Sequence, residues 1–291
     1  MKFRYAAPTM ALMTTLLLSA CSSGEEKAAD MPKASTPAVS TETTTPVDPS
    51  ETFKDAVSQY RTYVIQECDA FVTETDKFVK AVNSGDIDLA KQLYAPARTH
   101  YERIEPIAEA LGDLDPNIDA REGDVAAADF RGFHRIEKAL WKDKSVKDQK
   151  EFADRLLSDA KLLRAKVETV DIQPSLLVTG AVELLNEVST SKVSGEEERY
   201  SRTDLYDFAA NLEGADKIYE LLKTHLASKD ADLEKQIGDR FATLKAELDK
   251  YKKGTGYVSY DQLKQEEVRK LSQNLDALAE PLSNMGKLLG V

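Results

Sequence analysis

The sequence predicts an all-α protein of about eight helices, set as two tandem up-and-down four-helix bundles behind a disordered tether. Three observations predict it. Glycine and proline become scarce after residue 50 of the 291 residues. Beyond that point apolar residues recur at steps of three and four over long runs, the period of a helix buried on one side. The links between these runs are short, as antiparallel neighbours require.

The N-terminal segment follows a different logic. Lys2 and Arg4 precede an apolar run from Met10 to Leu18, and Leu18-Ser19-Ala20-Cys21 closes it. A basic start, a short apolar stretch and small residues before a cysteine form the lipobox pattern of bacterial secretion signals. The expectation is therefore a signal peptide over 1–20, cleaved before Cys21. Acylation at the Cys21 thiol and the new amino group would follow, and several acyl chains give stable anchoring where one does not. The protein is then expected in the bacterial periplasm, lipid-anchored to a membrane, with Ser22 favouring the outer membrane. Losing residues 1–20 removes two basic residues and no acid, so the charge goes from −12 to −14. Residues 21–50 carry the acylated cysteine and a Ser/Thr/Pro/Ala/Glu-rich stretch that cannot build a core and reads as a flexible linker. Residues 51–291 form the helical domain.

The first helix starts near Glu51, with Phe53, Val57, Tyr60, Val64, Cys68, Phe71, Thr75, Phe78 and Val82 on one stripe. Cys68 has no internal partner once Cys21 is acylated and reads as packing. Asn83-Ser84-Gly85-Asp86 ends this helix and caps the next, Ile87 to Leu111, in which Pro106 predicts a bend. Glu102 and Glu105 lie one turn apart at that bend, as either a cation site or a solvated acidic edge. An acidic loop follows over 112–124. Asp115-Pro116 predicts an N-cap there, whereas Asp119 and Glu122 have no capping role. Asp124 opens a central helix running to Lys142. Further helices are expected over 146–170, 174–193, 203–227, 231–251 and 259–289. Capping boxes are read at Ser194 with Glu197 and at Ser259 with Gln262.

Gly132-Phe133-His134-Arg135-Ile136-Glu137-Lys138-Ala139-Leu140-Trp141 lies in the central helix. At helical spacing His134 and Glu137 stack one turn apart, with Phe130 and Trp141 continuing their stripe. Phe133, Ile136 and Leu140 make the opposite side apolar too, so the helix reads as buried. A buried His–Glu pair needs a hydrogen-bond network or a metal ion to offset its desolvation. Gly132 inside a helix marks a close approach by another element.

The acidic balance leaves no basic face for phosphates, so nucleic acid is excluded as a partner. It favours attraction of cations.

The quoted motifs resemble those of the imelysin-like (M75) domain of the EfeO/EfeM family. The matching stretches are Tyr94-Ala95-Pro96-Ala97-Arg98, Tyr101-Glu102-Arg103-Ile104-Glu105-Pro106 and Ile118-Asp119-Ala120-Arg121-Glu122, with the His-x-x-Glu of His134 and Glu137. Glu183-Leu184-Leu185-Asn186-Glu187-Val188, Gly195-Glu196-Glu197 and Asp204-Leu205-Tyr206-Asp207-Phe208 extend the match through residue 291. The resemblance is to the short form, without the cupredoxin domain of longer members. Where the family has a histidine in Ser-His-Thr-Asp-Leu-Trp, this chain has Arg202.

The resemblance implies a periplasmic iron-uptake lipoprotein that binds a metal ion and delivers it to an iron permease, alongside a peroxidase of the same system. It implies metal ligands among His134, Glu137, Glu102, Glu105 and Asp119. Carboxylates with one imidazole suit a hard ion, iron as Fe2+ or Fe3+ first, with copper, zinc and calcium as alternatives. An enzymatic role is not expected: a zinc peptidase needs His-Glu-x-x-His, and the His-x-x-Glu motif here holds a single histidine. The competing readings are a metal-bridged module for acidic polysaccharide and an M75 metallopeptidase.

Overall fold

The computed structural model describes residues 49–190 and 192–291. The signal peptide, Cys21 and the linker as far as residue 48 lie outside these residues, and the expected linker's last two residues are helical. The described residues are predominantly helical, with one hairpin among them of two-residue strands, β1 (Lys252–Lys253) and β2 (Gly256–Tyr257), at the Gly254-Thr255-Gly256 break.

A single turn, α1 (Pro49–Thr52), leads into α2 (Lys54–Ser84). The stripe expected for α2 is the buried one: Tyr60, Val64, Cys68, Phe71, Phe78 and Val82 all face the core. Gly85 closes α2 in the left-handed region at φ 79°, and its N–H reaches the Val82 carbonyl at 3.1 Å. This is a glycine C-cap. Asp86 then caps α3 (Ile87–Glu102) by accepting the Leu89 N–H at 3.0 Å.

The helix expected over 87–111 is broken rather than bent. It resumes as α4 (Glu105–Glu109), with Pro106 near its start. Proline has no N–H for the Glu102 carbonyl, and Asn211 Nδ2 fills the vacancy at 2.8 Å. Asp113 takes the N-cap position of α5 (Leu114–Asp119), where Asp115 had been expected. Asp115 instead accepts the Tyr101 hydroxyl.

The central helix is much shorter than its periodicity suggested. Residues 124–132 are turns, and α6 spans only Phe133–Lys138, widening into a π turn over Ala139–Asp143. Asp124 therefore caps no helix and accepts from Arg121 at 2.9 Å, and Phe130 lies before α6. Gly132 is the N-cap residue, at φ 80° and ψ −162°, a conformation essentially reserved for glycine. The close approach expected there is present: a Cβ on Gly132 would fall 2.2 Å from the Ile118 carbonyl oxygen.

Helix α7 (Lys150–Lys166) packs on α2 and completes the first bundle with α3 and the short α6. The second bundle comprises α8 (Pro174–Thr190), α9 (Asp204–Lys229), α10 (Ala231–Leu248) and α11 (Gln265–Leu289). Helix α9 touches α3 as well as its own bundle, so it joins the two halves. A Cβ on Gly214 of α9 would lie 2.4 Å from the Arg103 carbonyl oxygen, which is how closely the halves meet. No helix starts at Ser194: a 3-10 turn, Lys192–Ser194, passes into the loop 195–203. Ser259 does not open the last helix either. Lys264 is its N-cap residue, and its N–H donates to Glu267 at 2.7 Å.

Candidate metal centre

The junction of the bundles gathers charge that a helical core ordinarily excludes. Glu102, Glu105, Asp119, Glu137, Glu197, Glu198, Asp204 and Asp207 are all buried, beside Arg98, Lys192 and His134. Eight carboxylates face two permanent cations and one imidazole. Two like charges about 4 Å apart repel by about 4 kcal/mol even at an effective dielectric constant near 20. The excess negative charge must therefore be met by protons or by a further cation.

Each group is placed by a local feature. Arg98 projects from α3 into the cluster, with its Nε 2.7 Å from Glu198 and 3.3 Å from Asp207. Its terminal nitrogens bind Asp119 and Glu102 and lie 3.6 Å from Glu197. Asp119 ends α5, against which Gly132 packs, so the first turn of α6 delivers His134 next to it. Glu197 and Glu198 come from the loop between Lys192 and α9. Left-handed backbone at Gly195 (φ 76°) and Arg202 (φ 60°) turns that loop inward.

The two nitrogens of His134 have different surroundings. Nδ1 is 3.1 Å from Glu137 Oε2 and 3.5 Å from the Tyr94 hydroxyl. Glu137 Oε1 also accepts the backbone N–H groups of Tyr200 at 2.9 Å and Ser201 at 2.7 Å. An ionised carboxylate only accepts, so Nδ1 carries a proton. Nε2 is buried with no hydrogen-bond partner. It faces Glu197 Oε1 at 3.4 Å and Asp119 Oδ1 at 3.6 Å. Donor atoms of Asp119, His134 and Glu197 lie within 4.8 Å of one another, close enough for one ion. A second such group joins His134 to Glu137 and Glu198. The carboxylates of both groups are engaged, Glu198 by Arg98, Tyr94 and the Ser201 hydroxyl, Asp119 by Arg98 and Glu197 by Arg121, so the groups differ at the imidazole: Nδ1 is held by Glu137 and Nε2 makes no hydrogen bond.

A cleft of about 340 Å³ is bordered by Glu105, Glu109, Asp115, Asp119, Asp124, Glu187 and Glu197, with Arg121 its one cation, and of these Asp119 and Glu197 also face Nε2. Arg121 spans the mouth, 2.7 Å from Glu197 and 2.9 Å from Asp124. A larger depression of about 410 Å³ beside the hairpin lies elsewhere, and its cations are paired: Arg103 with Glu213 at 2.8 Å, Lys252 with Asp249 at 2.6 Å. The chemistry points to the acidic cleft.

Protonation follows the crowding. Burial pushes Asp119 up to about 7 against the pull of Arg98, and pushes Asp204 up to about 6. Burial also raises Glu105, Glu198 and Asp207 well above the carboxylate range. Glu197 moves the other way: burial would raise it, but Lys192, His134 and Arg98 together hold it below the usual range. Burial and Arg98 depress His134, yet Glu137, Glu197 and Asp119 outweigh them and lift it to about 9. The cluster thus stores protons that an incoming cation can replace.

Of the residues expected as ligands, His134, Glu137 and Asp119 come together. Glu102 and Glu105 are drawn to Lys192, at 2.6 and 3.2 Å. Glu197, Glu198 and Lys192 escaped recognition as members of the site. Glu197 fitted a capping box with Ser194, and nothing in spacing alone carries a loop residue across to another helix. His100 and His225 stand apart, the first 2.8 Å from Glu67 and the second edge-on to Phe53.

Residues 56–285 match the imelysin family (Peptidase_M75). A protein of Staphylococcus haemolyticus named "Efem/EfeO family lipoprotein" is 44% identical over 291 residues, 96% of this chain and 97% of its own length. One of the same name from Staphylococcus aureus strain MSSA476 is 48% identical over 238 residues, 80% of this chain and 84% of its own.

Proposed function

The chain belongs to the imelysin family, and on that premise we propose that it binds one iron ion at the inner end of the acidic cleft and delivers it to a membrane permease. The observation that carries this reading is the buried Nε2 of His134, which makes no hydrogen bond and faces Glu197 and Asp119 at 3.4 and 3.6 Å in a cluster with surplus negative charge. In this reading His134, Asp119 and Glu197 hold the ion. Glu137 fixes the imidazole through Nδ1, as carboxylates commonly do behind metal-bound histidines. Carboxylate oxygens with one imidazole favour iron over ions that prefer thiolates.

The relatives' name supports a lipid-anchored protein on the outer face of a membrane, held through Cys21. An outer-membrane placement has no support in these comparisons. Among the described residues no helix is long and apolar enough to cross a membrane. A role in binding rather than peptide cleavage fits the site, because Glu137 accepts three hydrogen bonds and is not disposed to activate water. A permease and a peroxidase acting with this protein extend the same proposal.

The test is a titration of the whole chain with Fe2+, Fe3+, Cu2+, Zn2+ and Ca2+, wild type beside His134→Ala. Preferential iron binding, weakened at least about 100-fold in the variant, is expected, given that even outer-shell changes cost 10–100-fold. Equal binding by the two proteins would contradict the site, and preference for zinc or calcium would contradict iron.

A further inference from the structure

Lys192 is fully buried, and its ammonium group is surrounded by oxygen. It lies 2.6 Å from Glu102 Oε2, 2.8 Å from Asn211 Oδ1, 3.2 Å from Glu105 Oε2 and 3.3 Å from Glu187 Oε1. Three carboxylates and an amide oxygen from α3, α4, α8 and α9 converge on one point. This donor set is one that a hard divalent ion takes, at somewhat shorter distances. Asn211 also holds the Glu102 carbonyl left open by Pro106, so the break between α3 and α4 is what lets Glu102 and Glu105 meet there.

We propose that Lys192 is a resident cation occupying a second metal position, so that the protein carries one exchangeable ion per chain rather than two. The inference rests on the reading that metal binds at His134. A fixed ammonium holds Glu102, Glu105 and Glu187 without leaving and keeps them from competing with Asp119 and Glu197 for the ion. That arrangement suits a protein that must release its cargo, because an open all-oxygen position beside the first would retain it. Lys192 is thus a specificity-determining residue: its charge is used to exclude an ion.

The experiment counts bound Fe2+, without oxygen, and Mn2+ per whole chain for wild type, Lys192→Met and Lys192→Arg, with folding followed by circular dichroism. One ion in wild type and Lys192→Arg, and two in Lys192→Met, is the expected result. A folded Lys192→Met that still binds one ion overturns the inference. Should Lys192→Met not fold, Glu105→Gln in the otherwise wild-type chain decides. Its affinity is expected to stay within about threefold, against a loss of at least about 100-fold for Glu197→Gln, and equal losses overturn the inference. If wild type binds no ion, the reading at His134 fails, while one ion in Lys192→Met still supports a vacated second position and none overturns it.

Discussion

The imidazole of His134 serves two neighbours, Glu137 on Nδ1 and the Asp119–Glu197 pair on Nε2. Its pKa of about 9, against an ordinary 6.5, means that it is protonated at neutral pH in the metal-free protein. A metal on Nε2 must displace that proton. Affinity is therefore expected to rise with pH from 6 to 9 with proton release, which calorimetry in buffers of different ionisation enthalpy would measure. A pH-independent affinity would count against an Nε2 ligand. Stability of the metal-free protein runs the opposite way. His134 binds its proton more tightly folded than unfolded, so its contribution is complete below 6.5 and is lost as pH rises through about 9. Asp119, raised from 3.8 to about 7, acts in the same direction, losing its contribution between those values. Melting temperature without metal should fall between pH 6 and 9, and saturating metal should reverse the trend. Changing Glu137 to Gln leaves the ligands in place but removes the orienting charge, and should weaken metal binding about 10–100-fold.

At the scale of elements, the α5–Gly132–α6 junction sets where His134 points. Gly132→Ala introduces a side chain 2.2 Å from a carbonyl oxygen at a φ and ψ that alanine avoids. The expected cost is at least about 1–3 kcal/mol of stability, read as a lowered denaturant midpoint, together with weakened metal binding. Unchanged stability would mean that the junction is not rigid. This junction also shows what sequence can and cannot say. The long helices α2, α10 and α11 were legible because one-sided burial imposes a helical period on them, whereas α9 is buried all round from Asp207 to Leu212. The central helix was over-extended because Phe130, Phe133 and Ile136 keep that period across a segment whose backbone turns at Gly132. The loop carrying Glu197 was read as a helix start, since Ser-x-x-Glu spacing is the same wherever the carboxylate points. His134, Glu137 and Asp119 were legible from type and motif. The Lys192 contact with Glu102 and Glu105 was not, because it joins residues about 90 positions apart through the fold.

For the whole molecule, the net charge of −12 and the acidic cleft act together. The cleft should attract cations from beyond contact range. At about 10 mM salt such attraction extends some 30 Å, and at 0.15 M about 8 Å. The rate of metal association should accordingly fall severalfold between these conditions in stopped-flow measurements. A rate insensitive to salt would remove the cleft from the entry route. Two bundles joined along α3 and α9 place the proposed site at their seam, with Asp119 from α5, His134 from α6 and Glu197 from the loop before α9. The most direct test is anomalous diffraction from crystals of the iron-loaded protein. The account predicts a single peak within about 2–2.3 Å of His134 Nε2 and of carboxylate oxygens from Asp119 and Glu197. A peak among Glu102, Glu105 and Asn211, or on the Nδ1 side of His134, would contradict it.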